Sequence, residues 1–515
     1  MTATLDAAAR TDLPEADGPR WRDRMQPLID ARGGWIPALG ITLVAGLLRF
    51  LRLDIPRGKI FDEIYYSCDA RNLVRFGVEQ GSKPNSDCVP NGQPGFIVHP
   101  PLGKWLIGIG EKTFGLNEFG WRFSAAVAGT ISVLVLIRLA RRMTGSTLLG
   151  CLAGLLLTLD GLHFVQSRAS MLDIFLMLFV LGAATCAVID RDQVRARLAS
   201  MDDDVLTGWG PRLGVRPWLI GTGACIGAAI ATKWSGLYYL ALLVVLVYLW
   251  EVGARRTAGI VAPWRATVRR SLLPLLGLLV VLPAALYVLS WFGWFHASNG
   301  YDRHWATSGN ATYGFLPDVL RSWWHYHSEM YGFHSHLEAK HPYQSHPLGW
   351  LLLARPVSYY YPGGVGPGDY GCQVQSCSRE VLAIGTPAIW WASILMLFGS
   401  LWLWISRRDW RGYTVVLLIA ASILPWIPSD LHHRTMFLFY ALPAVPFMCL
   451  GLAMMAGWAL GPATASARRR ATAATAIGVY VSVVILNFVY LYPVLAAQTL
   501  PYADWHKRMW FTSWI

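Results

Sequence analysis

The chain has 515 residues, of which 54% are hydrophobic and only 15% charged, with a net charge of +13. A soluble protein carries about a quarter charged residues, so composition excludes a soluble globular enzyme and indicates a polytopic membrane protein. The basic excess is not a nucleic-acid signal. Of the 44 basic residues only seven are lysine, and many of the arginines flank apolar runs, as the positive-inside rule produces.

Residues 1–33 are polar and rich in Arg and Asp, with no apolar signal core or cleavage site, and are expected to form a cytoplasmic tail. Eleven apolar segments follow: Trp35–Phe50, Phe123–Leu139, Thr147–Leu159, Met171–Ile189, Trp218–Thr232, Leu237–Trp250, Leu272–Phe292, Pro387–Ile405, Tyr413–Ile427, Met436–Leu460 and Thr475–Tyr492. Threaded alternately from a cytoplasmic start, they place Arg141-Arg142, the Arg255–Arg270 stretch, Arg407-Arg408 and Arg468–Arg470 on the cytoplasmic side. The expected architecture is an all-α membrane domain over 34–493. Its two large outer loops are 52–121 and 293–385, and 494–515 form an outer tail. Cys68, Cys88, Cys372 and Cys377 all fall in outer loops, where an oxidising exterior favours Cys68–Cys88 and Cys372–Cys377 disulfides over free thiols. Asn310-Ala311-Thr312 fits a glycosylation pattern too common to carry weight.

This threading gathers the polar clusters on the outer face. Asp62 and Glu63 sit side by side just after the first span. On a helix adjacent side chains diverge by roughly 100°, so one carboxylate would face a reaction and the other would brace. In isolation the pair also suits the first turn of a helix, where carboxylates favour the macrodipole. His99-Pro100-Pro101-Leu102-Gly103-Lys104 sets a helix start with Lys104 one turn in. An interfacial cation there suits a phosphate, although a lone Lys beside Trp105 equally suits snorkelling. Arg122, Arg168, Lys233 and Arg434 are further outer cations at span ends. Asp160 and Asp173 are acids within or beside spans, expected to brace by pairing with Arg168 or another outer cation. The loop histidines His325, His327, His334, His336, His341 and His346 alternate with aromatics without metal-ligand spacing, and read as a polar, aromatic surface for a sugar or peptide. No phosphate-binding glycine loop, dinucleotide fingerprint or nucleophile elbow occurs.

Taken in order, Phe61-Asp62-Glu63, His99–Lys104, Trp121-Arg122-Phe123-Ser124, Leu159-Asp160-Gly161 with Arg168 and Leu172-Asp173, Ala231–Gly236, and Arg434 before Phe437–Tyr440 resemble the protein O-mannosyltransferases, membrane glycosyltransferases of the GT-C class. The likeness spans nearly the whole chain from the first segment. The outer loop 293–385 has no room for the β-trefoil domain of fungal and animal members, so the chain looks like the bacterial form, and its Arg-heavy composition suits an actinobacterium. The resemblance implies a GT-C fold in the cell membrane, with the active site and C-terminus outside. It implies transfer of mannose from polyprenyl-phosphate-mannose, lying among membrane lipid, to Ser/Thr hydroxyls of exported proteins, which would be met at the Sec translocon. The donor already carries a good leaving group, so one base suffices for an inverting displacement. On this reading Asp62 is the base and Glu63 the brace. Lys104, Arg122, Lys233 and Arg434 hold the departing phosphate, with His99, Asp160, Arg168 and Asp173 in support. No metal or other cofactor and no nucleic acid is implied. The alternatives are a GT-C enzyme acting on a lipid or glycan, and a lipid or solute transporter. The latter would show repeats and midplane polar groups that are not evident here.

Overall fold

The computed structural model describes residues 31–83, 87–96, 98–202, 204–308 and 314–515. The expected N-terminal tail falls almost wholly outside the described residues, as does the Asn310-Ala311-Thr312 pattern. The first apolar segment is α1 (Trp35–Phe50). The first outer loop contributes two helices, α2 (Glu63–Phe76) and α3 (Leu102–Phe114). Between them, β1 (Gln80–Ser82) pairs antiparallel with β2 (Pro90–Pro94). A Cys68–Cys88 disulfide ties this hairpin to α2. Glycines on α3 let its neighbours close in. A Cβ at Gly108 would strike Val74, and one at Gly110 would strike the Gly120 carbonyl.

The bundle continues through α4 (Glu118–Thr144), α5 (Thr147–Thr158), the short α6 (Gly161–Gln166), α7 (Asp173–Ala199), α8 (Pro217–Thr232), α9 (Gly236–Thr257) and α10 (Pro263–Ser290). Helix α11 (Asp318–Ser335) lies in the second large loop. The remaining spans are α12 (Pro387–Arg407), α13 (Trp410–Leu431), α14 (Leu438–Leu460) and α15 (Ala467–Leu495). Eight of these are long and apolar enough to cross a membrane, and α1, α5 and α8 are shorter apolar helices. Together they account for the eleven expected segments. Helix α4 outruns its apolar stretch because caps, not hydropathy, end it. Asn117 accepts from Gly120 N at the start of α4, and Gly145 closes it in the left-handed region behind Arg141 and Arg142.

Helices α7 and α14 form the buried centre, whereas α10 and α15 lie at the periphery. In α10, Pro274 and Pro283 each lack the N–H that a regular helix needs. The turn at Gly277–Val281 widens between them. Outside the helical bundle β3 (Val357–Tyr360) pairs with β5 (Val381–Ala383), and β4 (Cys377–Arg379) pairs with β6 (Thr499–Pro501). A second disulfide, Cys372–Cys377, precedes β4. The C-terminal segment is therefore no loose tail. Trp505 Nε1 donates to Glu380 at 2.7 Å, and the buried Trp514 donates to the Leu353 carbonyl at 2.8 Å. The second loop and the C-terminus form one cap over the bundle.

Candidate active site

The candidate site centres on the turn into α2. Phe61 holds φ at 46°, a left-handed conformation that a bulky residue keeps only when its surroundings fix it. They do so here. Its ring stacks on Tyr359 at 4.6 Å and meets Phe437 and Phe439 edge-on at 5.8 Å. Asp62 takes the N-cap position of α2, its carbonyl accepting from Tyr65 N and Tyr66 N.

The two adjacent carboxylates have opposite surroundings. Glu63 is fully buried. Both of its oxygens bind Arg122 at 2.8 Å, and they also accept from Ile60 N and Ser170 N at 3.0 Å. Asp62 is half-buried and hydrogen-bonded to Tyr66, near Lys233 and Asp173. Burial first, then the negative charge of Asp173, lifts its pKa to about 6 against the pull of Lys233.

Arg122 was expected to reach a lipid phosphate, and its geometry is different. It is fully buried with all five N–H donors engaged. Besides Glu63 it binds the carbonyls of Leu53, Pro56 and Gly58 at 2.8–3.2 Å. It therefore fixes the loop that delivers Asp62. Lys104 is likewise sealed, with Asp69 at 2.8 Å and Glu79 at 3.5 Å. Burial works against its charge, but these two acids together hold the ammonium above its ordinary value. Arg168 does not pair with Asp160. It donates to the carbonyls of Leu48, Arg49, Leu51 and Arg52, capping the end of α1. Asp160 caps α6 through His163 N and accepts from Thr386 N and Trp390 Nε1.

Lys233 reaches Asp173 at 2.9 and 3.1 Å and sits 4.9 Å over the Tyr440 ring. Arg434 donates Nε–H to the His334 carbonyl at 2.9 Å, lies over Trp426 and Tyr440, and has a buried Nη1 with no hydrogen-bond partner among the described residues. His99 stacks on His334 at 4.9 Å. Burial, then Lys233, pushes His99 well below its usual pKa, and burial pushes His334 to about 4. Both rings are neutral at pH 7, so the positive charge here belongs to Lys233 and Arg434. A narrow cleft opens between Asp173, Lys233, Tyr238, Trp426 and Tyr440. Among the described residues no three His, Cys, Asp or Glu side chains converge as a metal-ligand set.

Sequence reasoning missed the partners that reassign Lys104 and Arg122. It also missed a buried chain in which Arg49 meets His163 Nδ1 at 2.7 Å and Ser132 meets His163 Nε2 at 2.9 Å. The signal for the latter was an arginine inside an apolar run.

The helical membrane bundle, with Asp62, Lys233 and Arg434 at one end, shares the fold of a solved protein O-mannosyltransferase. The structure superposes on the Saccharomyces cerevisiae Pmt1–Pmt2 complex bound to its sugar donor with a TM-score of 0.72, at 15% identity over 93% of this chain and 92% of that one. ArnT from Cupriavidus metallidurans gives 0.50 at 18% identity, covering 90% and 77%. In sequence, residues 40–297 match the dolichyl-phosphate-mannose-protein mannosyltransferase family, and 319–514 match the C-terminal four TMM region of protein-O-mannosyltransferase. A polyprenol-phosphate-mannose–protein mannosyltransferase of Mycolicibacterium smegmatis is 39% identical over 498 residues, 94% of either chain. One of Mycobacterium tuberculosis is 38% identical over 500 residues, 94% of this chain and 93% of that one. The chain belongs to the protein O-mannosyltransferase family.

Proposed function

We propose that the protein transfers mannose from polyprenyl-phosphate-mannose to Ser or Thr hydroxyls of exported polypeptides, at the outer face of the cell membrane. The observation that carries the mechanism is the contrast between Asp62 and its neighbour. Glu63 has every lone pair committed, whereas Asp62 lies beside the Lys233–Asp173 pair with its pKa raised to about 6. It is ionised at pH 7 yet more basic than an ordinary aspartate, as a general base requires. Asp62 takes the hydroxyl proton. The oxygen attacks the anomeric carbon from the face opposite the phosphate, which departs with the bonding electrons and inverts the centre.

The leaving phosphate meets Lys233 and the unpaired Nη1 of Arg434, whose fixed charges stabilise it without reorganisation. Glu63 and Arg122 hold the Asp62 loop, Asp173 holds Lys233, and Lys104, Asp160 and Arg168 hold the surrounding framework. No metal is needed for this charge balance. His99 and His334, held neutral, add no charge, so the phosphate-facing positive charge rests on Lys233 and Arg434. Exported chains would meet the site as they leave the Sec translocon.

The test is purified protein with radiolabelled polyprenyl-phosphate-mannose and a Ser/Thr peptide. Asp62→Asn should lower transfer by about 10²–10⁴-fold, the usual contribution of a general base, while folding normally. A chelator should leave the wild-type rate unchanged. Retained transfer by Asp62→Asn would overturn the assignment, and loss of activity on chelation would move the phosphate-binding role to a metal.

A further inference from the structure

Helix α11 presents three faces, and two of them are accounted for. Ser322, Tyr326 and Met330 point into a satellite core with Trp291, Trp294 and Val78. At 100° per residue, Arg321, His325 and Glu329 form a polar edge about 100–180° round from Leu320. On that edge Arg321 pairs with Asp318, and His325 reaches Asp302 at 3.3 Å. The third face is apolar and bare. Leu320, Trp324 and Tyr331 fall within about 40° of one another and are 41%, 67% and 68% exposed.

The apolar face borders the membrane-facing wall. The core face of α11 packs on the outer end of α10. Tyr287 Oη lies 2.7 Å from His327 Nε2, and Trp291 meets Tyr326 at 5.1 Å. Helix α10 is the least buried span, at 17%. Its 28 residues rise about 42 Å, more than the roughly 30 Å hydrocarbon core, so its outer turns reach headgroup level. Leu289 and Phe292 are exposed there, whereas Tyr287, Trp291 and Trp294 turn inward to the satellite core beneath α11.

We infer that α11 lies in the outer-leaflet boundary of the bilayer, with Leu320, Trp324 and Tyr331 seated among lipid. A core face, an apolar face and a polar edge, in that order round one helix, are what an interfacial helix on a membrane domain requires. Its last turn carries His334, which stacks on His99 and whose carbonyl holds Arg434. Seating on lipid therefore fixes the helix that shapes the phosphate side of the site.

The test places a photo-crosslinking benzoylphenylalanine at 320, 324 or 329 of the full chain, in vesicles of phosphatidylethanolamine and phosphatidylglycerol. Lipid adducts should form at 320 and 324 in severalfold excess over 329. Equal lipid labelling at 329 would overturn the inference, as would adducts at 324 to a second copy of the chain. A second measurement compares Trp324→Leu with Trp324→Asp. The apolar variant should keep wild-type turnover in vesicles, and the charged one should lose severalfold with unchanged folding. Equal turnover in both would remove the link to the site while leaving the lipid contact to the crosslinks, which do not depend on the proposed reaction.

Discussion

Helix α7 has a charge cluster at each end, about 26 Å apart from Asp173 to Asp190. Towards its C-terminal end Arg216 binds Asp190 at 2.5 and 3.0 Å and Glu251 at 2.7 Å, while Arg255 binds Glu251 at 3.0 and 3.1 Å. Ser271 closes the cluster against Glu251. Two cations meet two anions, all four are buried, and these contacts spend their charge on one another. Around its N-terminal end the balance is incomplete. Asp62 is half-exposed, Arg434 keeps an unpaired Nη1, and Phe61 is held in the left-handed region to aim the loop. A closed network locks helices together. An open one retains groups for a ligand to complete, at a cost the surrounding structure bears.

The largest effects should come from breaking each closed pair. Removing one member of a buried ion pair costs about 3–5 kcal/mol because the partner is left uncompensated. Arg216→Ala and Arg122→Ala should both lose stability on that scale, read by thermal unfolding in detergent. They should differ in activity per folded molecule. Arg216→Ala keeps it, whereas Arg122→Ala loses it, because residues 53–63 no longer hold Asp62 in place. An Arg122→Ala protein of wild-type stability that had lost only donor binding would restore Arg122 as a phosphate ligand and erase the contrast.

That contrast also marks what the sequence could reveal. The eleven apolar segments and both cysteine pairs were legible, because apolar run length records the bilayer directly. The order of motifs grouped Asp62, Lys233, Asp173 and Arg434, and in the structure Asp62 lies near the Lys233–Asp173 pair. That order could not sort the cations. Lys104 and Arg122 have the same outward signature as Lys233 and Arg434, a basic residue at a span or helix end. What separates them is the partner: Asp69 and Glu79 for Lys104, three loop carbonyls and Glu63 for Arg122. Those partners are distant in sequence or belong to the backbone, so side-chain chemistry alone does not announce them. Asp160 failed for the same reason, spending its charge on backbone N–H groups and Trp390.

A smaller effect isolates the open end. Arg434 offers a donor that nothing in the resting site uses, so Arg434→Ala should leave stability near wild type. Loss of a charge-assisted hydrogen bond of about 1.5–3 kcal/mol should raise the KM for the lipid donor by about ten- to a hundredfold, with the peptide KM little changed. Lys233→Met is a harsher change, since it also strands Asp173, and should add instability to the same donor defect. If Arg434→Ala raised both KM values equally, the cation would be shaping the whole cap rather than meeting the phosphate.

The smallest effect at neutral pH, and the sharpest in form, is the acid limb of the rate profile. The base must be ionised, and Asp62 titrates at about 6, so kcat/KM should be flat above pH 7 and fall about tenfold per unit well below pH 6. His334 gains its proton only near pH 4 and His99 stays well below its ordinary value, so one group should govern the limb. Acid unfolding driven by Asp62 cannot mimic it. A carboxylate whose folded pKa is raised binds its proton more tightly when folded, so its protonation between pH 6 and the ordinary carboxylate range adds stability. Asp62→Glu should keep a limb with a shifted midpoint, while the residual activity of Asp62→Asn should lose it. A limb that persists unchanged in Asp62→Asn would assign the titration elsewhere and place the base outside this turn.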